Sequence, residues 1–261
     1  MVRKEINQLL AILEVELKNI LRERGTVGFS IFFPILISLS TYSVGTGILG
    51  KPPSLELWFY QLIGFTILMI TIVMSASSAW YIRQGLLSRR LEYIFSAPVN
   101  PIIIIASISL TSGILGFGIF LTVGLIGVIV TYGLSNLSNF FISLLILIIA
   151  LIPILGINLI IAAATIIGKE PEAISQPVSA IVSTTSGLAY PITILPFILK
   201  IIGESMPYYY AAYYVRSIIE GYFNILSLGN LPFLFLYLIF GFVIYRYFEN
   251  NYIRKEGAYG I

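Results

Sequence analysis

The chain has 261 residues, of which 58% are hydrophobic and only 10% charged, with a net charge of +3 and a mean hydropathy of +0.96. Soluble domains carry about 25% charged residues, so this composition predicts an integral membrane protein. His, Cys and Asp are absent from the sequence. We therefore expect no disulfide, no metal site of His or Cys ligands and no Ser-His-Asp catalytic site.

Charge-free runs define the predicted transmembrane helices. The longest run, residues 93–168, is divided by the turn-forming segment 133–139. A helix crosses the ~30 Å hydrocarbon core with about 20 apolar residues. The fold class predicted is therefore an all-α membrane protein with six spans, near residues 27–49, 57–82, 102–132, 140–167, 173–199 and 231–247.

The distribution of Lys and Arg predicts the orientation. Most of the 15 lie in the N-terminal segment, the 83–101 loop, the 168–172 turn and the C-terminal tail. Only Lys51, Lys200 and Arg216 lie in the alternate segments. Because cytoplasmic loops carry the excess of Lys and Arg, we expect a multi-pass protein of the plasma membrane with both termini in the cytoplasm.

Two segments on the predicted cytoplasmic side are not spans. Residues 2–24 have helical apolar spacing, with Glu14 and Lys18 at i,i+4. This helix either lies on the inner membrane surface or also packs beside a cytoplasmic partner. The 83–101 loop is polar at first and apolar after Glu92, and Pro98 ends any helix before it. It is either a short helix along the membrane surface or a simple basic loop.

Residues 200–230 are too polar for a span and too aromatic for a free loop. We predict a re-entrant hairpin that dips into the outer leaflet, in which Arg216 and Glu220 neutralise each other at i,i+4. An ordinary interfacial belt of tyrosines is the alternative. The candidate residues of this outer region are Pro207, Tyr208, Tyr214, Arg216 and Glu220.

The sequence offers no energy source for transport. Residues 45–51 fit the frame of a phosphate-binding loop, but Pro52 follows where Ser or Thr would hold Mg²⁺. No ionisable residue lies in the middle of a predicted span, where a proton- or ion-coupled carrier usually has one. We therefore expect a non-enzymatic conduit driven by a separate motor. The alternative is a self-contained channel or a secondary carrier that binds sodium through carbonyls at helix breaks.

The order of these features resembles the ABC-2 type permeases, the membrane subunits of a class of ABC exporters. Glu92, Ser96 and Pro98 after span two resemble one family pattern. The segment 186–191 followed by Leu195-Pro196 resembles another, and segments 206–208 and 214–216 resemble the outer re-entrant region. Arg89-Arg90 depart from the family, where Gly-Thr is often found.

The resemblance implies a single ABC-2 type transmembrane domain over residues 1–261, with a coupling helix near 84–97 that docks in an ATPase groove. The implied coupling residues are Arg83, Arg89, Arg90, Glu92, Tyr93, Phe95 and Pro98. Spans one, two and five would line the pathway. The pathway and gate candidates on span five are Ser183, Thr184, Ser186, Gly187, Pro191 and Pro196.

The resemblance also implies an assembly of two permeases and two cytoplasmic ABC ATPase subunits. The second permease is a copy or a paralogue, and ATP and Mg²⁺ bind the ATPases, so this chain needs no cofactor. Membrane lipid is the only other partner expected, with no nucleic acid. Because the predicted pathway residues are apolar, aromatic or hydroxylic, we expect an amphipathic or hydrophobic substrate such as a drug, a lipid or a peptide.

Overall fold

The computed structural model describes residues 2–22, 24–49, 54–88, 100–168 and 170–253. Every regular element in these ranges is a helix. The α-helices are α1 (Val2–Arg22), α2 (Arg24–Leu49), α3 (Leu55–Leu87), α4 (Pro101–Tyr132), α5 (Leu137–Gly168), α6 (Pro171–Thr185), α7 (Phe197–Ser205), α8 (Pro207–Glu220), α9 (Leu231–Leu234) and α10 (Leu236–Phe248).

Helix α3 lies at the centre of the bundle and packs against α2, α4, α5, α6 and α8. Its side chains Phe59, Ile63, Ile70 and Met74 are almost fully buried. Glycines of α4 allow the close approach: a Cβ at Gly116 would lie 2.7 Å from atoms of the Ile70 side chain. Small residues at helix contacts are how membrane helices gain packing energy without a hydrophobic driving force.

The long charge-free run is divided as predicted. Gly133 has φ +72°, a conformation that glycine adopts without steric cost, and it ends α4 before a short 3₁₀ turn leads into α5. At the other end of α4, the Asn100 side chain accepts a hydrogen bond from the Ile102 N–H, and Pro101 occupies the first helical position. Local turn and capping chemistry therefore sets both limits of this helix.

Five segments of the described chain are long and apolar enough to cross a membrane. They are Val27–Val44, Leu55–Gly85, Pro101–Tyr132, Leu134–Gly168 and Ile225–Asn251. They correspond to five of the six predicted spans. The remaining predicted span, near 173–199 with a bend at Pro191 and Pro196, is not confirmed, because α6 already ends at Thr185. Its 15 residues extend about 22 Å, which is short of the ~30 Å hydrocarbon core.

The aromatic segment after this break folds into two short helices. Helices α7 and α8 meet at Met206, and α8 packs along α5. Tyr208 and Tyr214 of α8 are 1% and 0% exposed. These two rings are part of the protein core, whereas a simple interfacial belt would leave them at the surface.

Helix α1 has the predicted helical structure, and Lys18 Nζ lies 2.6 Å from Glu14 Oε1. It packs against α4, while Ile6 and Leu10 remain more than half exposed. An exposed apolar stripe of this kind is typical of a helix at a membrane surface.

Candidate functional site at a helix break

The bundle has two chemically different ends. We call the end at which α3 begins the tyrosine end, because Tyr60, Tyr209, Tyr213 and Tyr222 gather there around one cavity. We call the opposite end, where α3 ends and α4 begins, the loop end.

The chain breaks out of α6 near the tyrosine end. After Thr185, residues 186–190 form bends, and Gly187 has φ +63°. A Cβ at Gly187 would lie 3.1 Å from the Ile192 Cβ, in a backbone conformation that L side chains rarely adopt. Pro191 and Pro196 follow, and each lacks the N–H that would continue a helix. The break leaves several backbone carbonyls without helical partners.

Arg216 of α8 supplies donors to those carbonyls. Its Nη1 donates to the Gly187 oxygen at 3.1 Å, and its Nη2 donates to the Leu188 oxygen at 2.6 Å. Nη2 also donates to the Tyr60 backbone oxygen at 2.6 Å. The side chain is almost fully buried, and the residue is only 4% exposed. One guanidinium therefore joins α8, the break and α3.

Tyr60 completes this contact from α3. Its hydroxyl donates to the Gly187 oxygen at 2.9 Å, and the Arg216 guanidinium carbon lies 3.4 Å from the centroid of its ring. A cation over an aromatic face is attracted by the negative charge of the ring centre. The carbonyl oxygens and the ring together replace the water that a guanidinium loses on burial.

Gly64, one turn after Tyr60, makes room for the break. A Cβ at this position would lie 1.6 Å from the Leu188 oxygen and 2.5 Å from Arg216 Nη2. Because the nearest atom belongs to the backbone, a larger residue would displace the 186–190 segment. The size of the residue at position 64 is thus limited by the 186–190 segment, which is far away in the sequence.

A cavity of about 160 Å³ lies beside this contact. Its lining residues are Tyr60, Pro191, Ile192, Thr193, Tyr209, Tyr213, Arg216 and Tyr222. Arg216 forms its buried part, whereas Thr193 and Tyr222 are exposed at the surface. The cavity is therefore open at one side, and the buried Arg216 side chain forms its inner end.

The predicted neutralisation of Arg216 by Glu220 is not formed as an ion pair. Both residues are described, and their side chains make no salt bridge. The Glu220 carboxyl faces the hydroxyls of Tyr132 and Tyr222 instead. Desolvation raises the pKa of Glu220, and the Arg216 charge opposes this effect. The reason is geometric: Arg216 extends toward the break and away from its own helix surface.

The other predicted residues of the outer region have structural contacts. Pro207 begins α8, and the Tyr214 hydroxyl donates to the Ser227 oxygen at 2.9 Å. Tyr208 faces Ser75 of α3, whose hydroxyl donates to Asn158 Oδ1 at 3.1 Å. The start of α8 therefore reaches a buried polar cluster well inside the bundle.

The span-five candidates fall into two groups. Ser183 and Thr184 lie near the end of α6 and donate to the Ala180 oxygen at 2.9 and 2.8 Å. Ser186 is buried and donates to the Val182 oxygen, and Gly187 belongs to the contact with Arg216. Pro191 lines the cavity, whereas Pro196 precedes α7 and is exposed.

At the loop end, one ion pair and one hydrogen bond connect helices that are distant in sequence. Arg83 of α3 lies 3.3 Å from Glu170, the residue that precedes α6. Arg246 of α10 pairs with the buried Glu249 at 2.9 Å and donates to Asn100 Oδ1 at 3.2 Å. Both ends of the loop between α3 and α4 are thus joined to other parts of the bundle.

Most of the predicted coupling residues lie outside the described ranges. These are Arg89, Arg90, Glu92, Tyr93, Phe95 and Pro98. Arg83 is described and makes the ion pair with Glu170. The role of the 84–97 segment therefore remains a prediction from the sequence.

Sequence reasoning did not find Tyr60 or Gly64 as site residues. Tyr60 reads as one of the aromatic anchors at the start of span two, and Gly64 as a small residue in an apolar run. The only available signal is their spacing, since residues four apart lie on the same face of a helix. A small residue one turn from a tyrosine indicates a close approach, but not which segment approaches.

The bundle defines the class of the protein: a polytopic helical membrane protein. The family described as ABC-2 type transporter matches residues 7–219. The chain therefore belongs to the ABC-2 type transporter family and is a permease component of an ABC transporter. Membership implies association with ABC ATPase subunits. A search of curated proteins found no match to this chain.

Proposed function

We propose that this chain is the permease subunit of an ATP-driven exporter of amphipathic or hydrophobic molecules. Two permeases, identical or paralogous, enclose the path, and separate cytoplasmic ATPases drive it. The loop end faces the cytoplasm of a plasma-membrane protein with both termini inside, and the α7–α8 hairpin enters the outer leaflet. The excess of Lys and Arg in segments at the loop end supports this orientation.

The observation that carries the proposal is the exposed face of α6. Glu172, Gln176, Ala180 and Thr184 recur every fourth residue, and all four are exposed. Residues four apart lie on one face of a helix. This stripe is therefore polar or small along the whole length of α6, whereas the exposed stripe beside it, Ala173, Pro177 and Ile181, is apolar.

The exposed face of α10 has the opposite character. Its exposed residues include Leu236, Ile239, Phe240, Phe242 and Val243. Large apolar side chains are suited to lipid, whereas polar groups exposed to hydrocarbon are costly. The α6 face is accordingly assigned to a water-accessible path or to a second permease, and the α10 face to lipid.

The exporter function is tested by reconstitution. The chain is placed in liposomes alone and together with each candidate ABC ATPase of the source organism, and movement of fluorescent lipids and hydrophobic dyes is measured. We expect transport only with ATP and a partner ATPase. Transport by the chain alone, driven by a sodium gradient, would support a secondary carrier and contradict the proposal.

The α6 face is tested by a matched pair of substitutions. Ala180→Leu adds bulk to the proposed path, and we expect it to reduce transport at least about tenfold while the protein stays in the membrane. Val243→Leu adds one methylene group on the face assigned to lipid and is expected to leave transport unchanged. Equal transport rates for both variants would contradict the assignment of α6.

The coupling segment is tested by separating ATP hydrolysis from transport. We expect Arg90→Gln and Glu92→Gln to leave the permease in the membrane but to lower the amount of substrate moved per ATP. These residues belong to the predicted 84–97 docking segment. If the transport-to-ATP ratio of both variants equals that of the wild type, docking does not depend on these side chains.

A further inference from the structure

The chemistry around the tyrosine-end cavity points to a ligand class. Its polar side chains are those of Arg216, Thr193 and four tyrosines, and each carries an N–H or O–H donor. Among the described residues no carboxylate lines the cavity, and the nearby Glu220 carboxyl faces the Tyr222 hydroxyl at its edge. A lining that is rich in donors and contains a cation is complementary to an anion.

Two of the five N–H groups of Arg216 are not used by backbone carbonyls. A guanidinium carries five N–H groups, and three of them are used by the carbonyls of Tyr60, Gly187 and Leu188. Nε is buried and has no hydrogen-bond partner in the described part of the chain. Most buried polar atoms in proteins are hydrogen-bonded, so an orphaned donor calls for a specific explanation.

The positive charge of Arg216 has no counter-charge in direct contact. Its three direct acceptors are neutral carbonyls, and the Glu220 carboxyl acts on it only through space, without an ion pair. Carbonyl dipoles and the Tyr60 ring lower the cost of burying the charge but leave the net charge of the side chain in place. An anion beside Arg216 would place a counter-charge in direct contact with it.

We propose that this cavity binds the phosphate group of an amphipathic molecule in the adjoining leaflet. This inference rests on the proposed function and narrows its substrate class to lipids or lipid-like molecules with a phosphate headgroup. Arg216 provides the charge, and the hydroxyls of Thr193, Tyr209 and Tyr213 donate to the phosphate oxygens. The exposed side of the cavity leaves the acyl chains outside it.

The proposal is tested by measuring binding to the purified full chain, without ATPase. The chain in detergent is titrated with phosphatidylglycerol, with diacylglycerol as a lipid that lacks phosphate, and with inorganic phosphate. Binding is followed by the melting temperature and by native mass spectrometry. We expect phosphatidylglycerol to raise the melting temperature in a saturable way and diacylglycerol to leave it unchanged.

Variants of the cavity hydroxyls keep the test independent of Arg216, whose loss also disturbs folding. The double variant Tyr209→Phe with Tyr213→Phe keeps both rings and removes two donors. We expect it to weaken phosphatidylglycerol binding at least about tenfold. Tyr210→Phe, on the same helix but not lining the cavity, is the matched control and should bind as the wild type does.

The outcomes are distinct. Equal protection by inorganic phosphate and phosphatidylglycerol would keep the phosphate site but identify the free anion as its ligand. No phosphate-dependent shift, or equal binding by the double variant and the Tyr210→Phe control, would overturn the proposal. If the complex transports with ATP but the chain binds no phosphate, the exporter function is supported and the phosphate site is refuted. If the chain binds phosphate but transports without an ATPase, the phosphate site is supported and the exporter function is refuted.

Discussion

The two ends of the bundle use arginine in opposite ways. At the tyrosine end, Arg216 is 4% exposed and donates to three backbone carbonyls. At the loop end, the Arg83 and Glu170 side chains are 25% and 65% exposed, and their atoms lie 3.3 Å apart. The first arginine is part of the folded core, and the second is half of a solvated ion pair.

The difference follows from what surrounds each charge. A buried donor cannot exchange its protein partners for water, so losing it leaves the acceptors unsatisfied. Exposed charges interact in a high dielectric and are screened by salt, so their pairing contributes little. The Arg216 contact is therefore expected to be fixed in structure, and the Arg83–Glu170 pair to rearrange at low cost.

The strongest test of this contrast is Arg216→Gln. It removes the Arg216 donors to the carbonyls of Tyr60, Gly187 and Leu188, of which Gly187 keeps the Tyr60 hydroxyl, and each lost hydrogen bond to a charged group costs about 1.5–3 kcal/mol. We expect a loss of at least about 3 kcal/mol in the free energy of unfolding, measured by denaturant titration in micelles. Arg216→Lys, which keeps the charge but not the planar geometry, should fall between this variant and the wild type. A wild-type unfolding curve for Arg216→Gln would show that the carbonyls have other partners.

The next largest effect is expected from Gly64→Ala. The added Cβ would lie 1.6 Å from the Leu188 oxygen, so the 186–190 segment must move. Overpacking of this kind costs about 1–3 kcal/mol. Gly118→Ala is the matched control, because a Cβ there meets no atom within 4 Å and alanine favours a helix by about 1 kcal/mol. Melting curves should therefore shift in opposite directions, and a common direction would contradict the tight approach at Gly64.

The helices of the bundle were predictable because local properties determine them. Runs without charge predict helices that cross the hydrocarbon core, and five of the six predicted spans correspond to segments of sufficient length. Gly133 marked the turn that divides the longest run. Glu14 and Lys18 pair as their spacing indicates.

The site at the break could not be predicted, because it depends on contacts between distant segments. Pro191 and Pro196 indicated a bend, but the helix already ends at Thr185 ahead of the positive φ of Gly187. The i,i+4 spacing of Arg216 and Glu220 favoured a local pair. The structure instead joins Arg216 to carbonyls of the break and of α3, a choice that no local pattern encodes.

The smallest effect on stability is expected from Arg83→Gln at the loop end. An exposed pair contributes less than about 1 kcal/mol, and added salt should reduce that further. Lys200→Gln removes a second exposed pair, with Glu204 at 3.7 Å, and serves as the control away from the loop end. Both variants should melt close to the wild type at high salt. If Arg83→Gln destabilises the protein as much as Arg216→Gln, the contrast between the two ends is wrong.

The effect of Arg83→Gln on transport is separate from its effect on protein stability. Arg83 precedes the predicted docking segment, and Glu170 precedes α6, the helix whose polar face we assign to the path or to a second permease. Under the exporter proposal, movement of the segment therefore reaches α6 through this pair. We expect Arg83→Gln to lower transport per ATP in the reconstituted complex, while Lys200→Gln leaves it unchanged. An unchanged ratio in both variants would mean that the movement reaches α6 through packing of α3 against it, with no contribution from the ion pair.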